Sequence, residues 1–459
     1  MADMEPKVIY SARQRAAASA HGWAYAPGCA AAGQSGSGNN WALGHNRYGP
    51  AMVPAVLELV RRQVEACDVF EGFLMLQSMA GGTGAGAGTC LAEALVDEHG
   101  GAHMLNCCVW PYASGEVTVQ PYNTLLTMSA LVELSSGVLL LQNEALHATC
   151  ARLLRVENPG FKDLNAVAAR ALASAMLPAR ARPAAPAPVP SAAPPPAARS
   201  PSRGSPARAA AQQQQAEPQM LGSGGGQGLL HPIADLTCHL FNHPSYRLAS
   251  LRCVPQLPAG SIDFTTFTWP ALLRRLRAMG LAGAFLDECL SSFMTSAGAP
   301  VPLHKYKNRA ASSMLVLRGS DAASVAVPEF ADPHWHAPWA VDPLLVAAHG
   351  ARFAGCQMAA TLLATDQACV AALRPMLAKA YAMLAARAYV HQYEAAGLGR
   401  PELEASCAAV EDTLAAYGAL SRPERGEPQA RARGPAAATR GGRARGGRPL
   451  QHAARVGAG

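Results

Sequence analysis

The run Ala80-Gly81-Gly82-Thr83-Gly84-Ala85-Gly86 has the residue types and spacing to hold a phosphate. It follows Phe73-Leu74-Met75-Leu76, an apolar run that reads as a strand buried on both faces, and it precedes Leu91, Ala94 and Leu95 at helical spacing. At a strand-to-helix turn, glycines let backbone N–H groups close around an anion, and the helix N-terminus adds the positive end of its dipole. The competing reading is a tight turn whose glycines serve packing. Two familiar phosphate loops fit poorly. A Walker loop needs a Lys after its last glycine, and none stands here. The dinucleotide pattern, Gly82-x-Gly84-x-x-Ala87, lacks the acidic residue expected about 20 positions on, where the chain reads Asn106-Cys107-Cys108-Val109-Trp110.

Elements that would position this loop alternate along residues 1–177. Phe70–Leu76, Met104–Trp110 and Val138–Leu141 read as strands, each followed by a helical pattern, which implies a parallel sheet with helices on both faces. Phe161 to Met176 reads as one helix with the stripe Leu164, Val167, Ala168, Ala171, Leu172 and Ala175. Residues 178–228, rich in Pro, Ala and Ser with a Gln212–Gln215 run, bury too little apolar surface to order themselves and read as a disordered insertion. A second α+β domain over 229–365 includes Thr265–Trp269 and the strand Met314–Leu317. C-terminal helices fill 366–420: one from about Pro375 to Tyr393, and one from Pro401 carrying Leu403, Cys407, Val410, Leu414 and Tyr417 on one face. The fold class is therefore α/β, followed by a disordered basic Arg/Gly tail over 421–459.

Composition excludes several classes. Twelve cysteines occur without a CxxC pair or a signal peptide, which favours free thiols in a reducing compartment. The apolar runs are read as too short to span a membrane. Residues 421–459 hold nine Arg against two Glu, and 178–228 hold five Arg against one Glu, so the overall +7 leaves the remainder of the chain at −4. A nucleic-acid-binding core is not indicated. His334-Trp335-His336 stands between prolines and reads as a surface loop, so no metal is assigned to it.

Several motifs in one order resemble the tubulin family. They are Asp3-Met4-Glu5-Pro6, Gly38-Asn39-Asn40-Trp41-Ala42, the loop Ala80–Gly86, Glu116–Asn123, Gln142-Asn143-Glu144-Ala145 and Ala388-Tyr389-Val390-His391-Gln392-Tyr393. Asp3 to Ile9, Ser78-Met79-Ala80, Trp110-Pro111-Tyr112 and Thr265–Trp269 are similar to the delta branch of that family. The resemblance implies a GTP/GDP-binding domain, an intermediate α+β domain and a C-terminal helical hairpin. By position, Ala80, Gly81, Gly82, Thr83, Gly84, Ala85 and Gly86 would wrap the phosphates and Asn39 would contact them. Asp3 and Glu5 would approach Mg2+ through water, because hard carboxylate oxygens suit that ion. Asn143 and Asn165 would hydrogen-bond the guanine edge, and Phe161 would stack on the base. Read alone, Asn143 is equally a helix cap, Phe161 a core aromatic, and Asp3 and Glu5 surface carboxylates. Implied partners are other tubulins, microtubules and centriole or basal-body proteins, with location in the cytoplasm and cytoskeleton, at centriole, basal body and cilium.

Departures from the family pattern carry their own expectations. The chain opens where relatives already have a first strand, a first glycine-rich loop and a helix, so the native start is expected upstream of Met1; an in-frame stop directly upstream in the transcript would refute this. Asp235, in Ala234-Asp235-Leu236, is the nearest equivalent of the acidic residue that reaches a neighbouring subunit's nucleotide and positions water. Gln120 stands where many relatives have Glu, which leaves the ribose contact in doubt, and the basic tail replaces the acidic tails of the common subunits. Two rival readings are a structural partner of microtubules that hydrolyses nothing and an RNA-associated protein acting through its Arg/Gly tail.

Overall fold

The apolar runs pair side by side in a computed structural model that describes residues 1–19, 23–26, 28–115, 117–182, 229–288 and 308–420. The tail and most of the expected insertion lie outside the described residues. In chain order the strands are β1 (Ala2–Asp3), β2 (Ala31–Ala32), β3 (Gly72–Ser78), β4 (His103–Trp110), β5 (Gly137–Gln142), β6 (Arg180–Arg182), β7 (Leu248–Val254), β8 (Ala310–Gly319), β9 (Leu344–His349) and β10 (Met358–Asp366). The helices are α1 (Pro6–Ala17), α2 (Trp41–Leu43), α3 (Gly49–Glu65), α4 (Gly88–Glu98), α5 (Gln120–Leu134), α6 (Asn143–Ala148) and α7 (Phe161–Met176). They continue with α8 (Pro232–Leu240), α9 (Ala259–Ile262), α10 (Trp269–Ala282), α11 (Ala368–Ala371), α12 (Leu373–Ala385), α13 (Val390–Glu394) and α14 (Arg400–Ala419).

Eight strands form one sheet in the order β3-β4-β5-β7-β10-β8-β9-β6, while β1 and β2 make a separate parallel pair. β3, β4, β5 and β7 run parallel, and β10 runs antiparallel to both of its neighbours. The strands of the first half and of the 229–365 region therefore share a single sheet. β6 lies inside the stretch read as an insertion, yet it pairs antiparallel with β9. Side chains alternate across the sheet. Val138 and Leu140 face a layer built from α5, α12 and α14, whereas Leu139 and Leu141 pack with α7 and α8. A further core joins α10 to β8, β9 and β10.

β3 corrects one expectation. It begins two residues later than read, it is the sheet's edge, and Leu76 is 63 % exposed, so this run is not buried on both faces. A second correction concerns the C-terminal helices. The stretch read as one helix from Pro375 to Tyr393 is α12 and α13, separated by a turn in which Arg387 and Tyr389 have φ of 51° and 61°. Left-handed backbone cannot continue an α-helix. A third concerns length: Ala368–Ala385 is long and apolar enough to cross a membrane, with mean hydropathy 1.3. Leu373, Met376, Leu377, Ala380 and Leu384 of this stretch are buried in the helical layer, as in a core helix of a globular domain.

Two buried arginines tie the layers together. Arg318 of β8 donates to the carbonyls of Ser174, Leu177 and Pro178, satisfying acceptors that the end of α7 leaves without partners. Arg252 of β7 and Asp366 of β10 form an ion pair at 2.8 Å in which both side chains are 0 % exposed. Asp366 also accepts from Ser250 Oγ at 3.0 Å and from Asn308 Nδ2 at 3.0 Å. Phe285 covers the guanidinium at 4.9 Å.

Candidate functional site

Because β3, β4 and β5 are parallel, their carboxyl ends share one edge of the sheet, from which the glycine-rich loop and α6 leave. The carboxyl edge is the usual ligand side of parallel sheets. Gly81 (φ −108°, ψ −170°) is the last extended residue of the loop; Gly82–Ala87 then form a wide, π-type turn that runs directly into α4. The first N–H groups of this continuous helix have no partner within it and converge where an anion would sit.

The loop's glycines answer to close approach. A Cβ on Gly82 would lie 2.4 Å from Ser37 Oγ and 2.5 Å from the Asn40 carbonyl oxygen, and one on Gly86 would lie 2.2 Å from the Trp41 carbonyl oxygen. A Cβ on Gly84 would lie 2.9 Å from the Ser78 carbonyl oxygen. These three positions are packed against neighbouring backbone. Gly81 differs, since Asn39 Oδ1 at 3.4 Å is the nearest atom a Cβ would meet. The packing reading therefore holds at Gly82, Gly84 and Gly86, whereas at Gly81 an added Cβ would make only an ordinary contact, with Asn39 Oδ1.

Asn39 is exposed next to Gly81, with φ 54° beside Gly38 at φ 58°, a left-handed conformation that Asn tolerates. Ser37 Oγ and Thr83 Oγ1 are hydrogen-bonded at 3.1 Å, joining this segment to the loop. Behind them, Asn123 Nδ2 donates to the carbonyls of Asn39 (2.7 Å) and Ala80 (2.8 Å). His45 stacks on Trp41 with ring centroids 4.3 Å apart and bonds Glu93 Oε2 at 2.9 Å. Burial alone would lower the His45 pKa, but hydrogen bonds to Glu93 and Asn46 outweigh it and raise the imidazole above 6.5.

The residues assigned to the base lie on α6 and α7. Asn143 is the first residue of α6; Gln142 occupies the cap position, and among the described residues the Asn143 side chain has no hydrogen-bond partner. The capping reading of Asn143 thus fails. Phe161 opens α7 and is 67 % exposed, which removes its reading as a core aromatic. Asn165 is exposed one helical turn further on, on the same face. Asp3 and Glu5 stand at the end of β1: Asp3 Oδ1 accepts from the Glu5 N–H at 2.9 Å, and a Cβ on Gly36 would lie 3.6 Å from Glu5 Oε1. Both carboxylates therefore border the segment that leads to Asn39. Gln120 Nε2 donates to the Tyr112 carbonyl at 2.6 Å and so is already engaged.

Asp235 does not join this group. It lies in the first turn of α8 and accepts from the His231 backbone N–H at 2.7 Å. His231 bonds Glu71, just before β3, at 2.8 Å, and Thr237 bonds His103, the first residue of β4, at 2.8 Å. The start of α8 therefore sits at the amino ends of these strands. At about 3.3 Å per residue, the length of β3 puts roughly 20 Å between Asp235 and the loop. A separate cavity of about 410 Å³ lies between α7 and the segment after β7, lined by residues such as Leu146, Val167, Arg170, Leu257 and Phe285. None of the residues assigned above lines it.

The donor set suits a phosphorylated ligand: helix N-terminal amides, the Asn143 amide, which has no hydrogen-bond partner among the described residues, and hard carboxylate oxygens at Asp3 and Glu5. A family model for the Tubulin/FtsZ family, GTPase domain, matches residues 1–151. The tubulin delta chain of Homo sapiens is 32 % identical over 428 residues, covering 91 % of this chain and 85 % of that one. The chain belongs to the tubulin family. The delta chain of Mus musculus is 30 % identical over 92 % of this chain and 86 % of its own, and the beta-3 chain of Zea mays is 38 % identical over 172 residues, 37 % and 38 % of the two. In this tubulin-family chain the matched GTPase region contains Asp3, Glu5, Asn39, the glycine-rich loop and Asn143, whereas Phe161, Asn165 and Asp235 lie beyond it. The delta resemblance, drawn from short motifs, extends over most of the chain. Sequence reasoning did not single out Ser37, His45, Asn123 or Tyr393. Only their inclusion beside or within quoted motifs pointed toward the site.

Proposed function

We propose that this chain is a cytoskeletal protein that binds GTP at the carboxyl edge of its parallel strands. In this reading the amides of residues 81–84 hold the β- and γ-phosphates, with Ala80, Ala85 and Gly86 completing the loop, and Asn39 contacts the same group. Asn143 and Asn165 read the guanine, since an amide offers both a donor and an acceptor, and Phe161 covers the ring. Asp3 and Glu5 hold Mg2+ through water, and the ion would neutralise phosphate charge. The observation that supports the reading is Gly81, where an added Cβ would make only an ordinary contact, with Asn39 Oδ1 at 3.4 Å, while Gly82, Gly84 and Gly86 are packed tight. Calorimetry on the full chain tests it. GTP should bind in clear preference to ATP, and equal affinity for the two would overturn the assignment.

Its partners are other tubulins and microtubules, and the delta resemblance supports work at centrioles and basal bodies, in triplet microtubules and cilium assembly. In hydrolysis, Asp235 acts on a neighbouring subunit's nucleotide. Its place at the amino ends of the strands supports action in trans, since its own loop is out of reach. Asp235→Ala should slow GTP hydrolysis in an assembled state and leave GTP binding intact, while loosening the start of α8 by about 1 kcal/mol. Parallel loss of binding and turnover would remove the role. A second reading, binding without turnover, is favoured by the hydrogen bond that already occupies the Asp235 carboxylate; unchanged hydrolysis in the assembled Asp235→Ala variant would support it.

A further inference from the structure

Asn123, 0 % exposed, uses all of its hydrogen-bonding capacity. Its Nδ2 donates to Asn39 and Ala80, one residue from each side of the proposed phosphate site. Its Oδ1 accepts from the Trp41 N–H at 2.9 Å and from the Tyr393 hydroxyl at 2.6 Å. The two carbonyls can only accept, so the amide has one orientation. Tyr393 is itself 0 % exposed and belongs to α13, which follows the left-handed turn at Arg387 and Tyr389. More bonds join that turn to the same layer: Tyr122 Oη to the Ala388 carbonyl (3.2 Å), Asn40 Nδ2 to the Gln392 carbonyl (3.1 Å) and Asn46 Nδ2 to the Ala396 carbonyl (2.9 Å).

We infer that Asn123 and Tyr393 are positioning residues that couple occupancy of the phosphate loop to the conformation of the 387–396 turn. This rests on the GTP-binding reading above. A phosphate that draws Ala80 and Asn39 inward moves both acceptors of one buried, fully hydrogen-bonded amide. Such a group cannot exchange a partner for solvent, so it follows them and shifts the Tyr393 hydroxyl. The turn at the far end is held in sparsely populated backbone geometry, as is Asn39, and strained segments of this kind are where alternative conformations are found. Tyr389 is 38 % exposed, so the change reaches the surface of the helical layer. Coupling is reciprocal: whatever fixes the turn alters GTP affinity by the same factor.

Hydrogen exchange on the full chain, with and without GTP, tests the coupling in wild type and in Tyr393→Phe, which deletes only the hydroxyl. In wild type, GTP should slow exchange both at 80–88 and at 388–396. In Tyr393→Phe, GTP should bind roughly 3- to 10-fold more weakly, in keeping with loss of one hydrogen bond, and should protect 80–88 but no longer 388–396. A purely structural role would change protection of 388–396 equally in both states and overturns the coupling. Wild type that binds GTP without any change at 388–396 overturns it too, and that arm needs no variant. Wild type that takes up no GTP overturns the nucleotide reading along with the coupling.

Discussion

Gly86→Ala is expected to destabilise the chain by about 1–3 kcal/mol and to cut GTP affinity on the order of tenfold to a hundredfold. The added methyl would sit 2.2 Å from the Trp41 carbonyl oxygen and 3.0 Å from the His45 nitrogen, both backbone atoms that cannot rotate away. The π-type turn must move instead, and its amides leave their common focus. Each hydrogen bond to a charged group contributes about 1.5–3 kcal/mol, so the loss of one accounts for the fall in affinity. Gly81→Ala separates the two effects. Its φ of −108° suits alanine and its only close neighbour is Asn39 Oδ1 at 3.4 Å, so stability should change by no more than about 0.5 kcal/mol. Its GTP affinity should still fall, because the methyl enters the space assigned to phosphate. Urea midpoints and calorimetry on both variants decide the matter; an unchanged Gly86→Ala protein would mean that the loop yields.

Asp366→Ala should remove about 3–5 kcal/mol of stability, a large part of the roughly 5–15 kcal/mol typical of a folded domain. It leaves the Arg252 guanidinium buried without a counter-charge in a site that is 0 % exposed. Asn308 Nδ2 and Ser250 Oγ also lose an acceptor. Among the described residues, Arg252 Nη2 already lacks a hydrogen-bond partner, so the native pair is imperfectly compensated there. Replacing both members, as in Arg252→Met with Asp366→Leu, should therefore be far milder than the single change. A double variant as unstable as Asp366→Ala would show that packing, and not stranded charge, sets the cost.

Legibility in the sequence followed how local each determinant is. α7 was readable residue for residue, because its apolar stripe has a 3.6 period and Leu177-Pro178 ends it. β4 and β5 were readable to within one residue, since bounded apolar runs define them. β3 was misjudged in burial because edge status depends on what lies beside a strand, which no local pattern encodes. The break between α12 and α13 has neither Gly nor Pro to announce it; tertiary bonds such as Tyr393 to Asn123 hold that turn. The glycine-rich loop offered two readings, and choosing between them at each glycine required knowing that residues 37–41 press against it. Phe161 and Asn143 could be sorted from their bland alternatives only by exposure and by the absence of a cap.

The pairing of β5 with β7 has a mechanical consequence. Val138, Leu139 and Leu140 are in register with Leu248, Ala249 and Ser250, so the backbone ladder runs without interruption from the loop-bearing strands to those carrying Arg252 and Asp366. Among the described residues, that boundary is crossed by sheet hydrogen bonds and not by a loop alone. A change in the relative angle of the two halves is therefore distributed along the ladder as altered sheet twist, a stiff deformation.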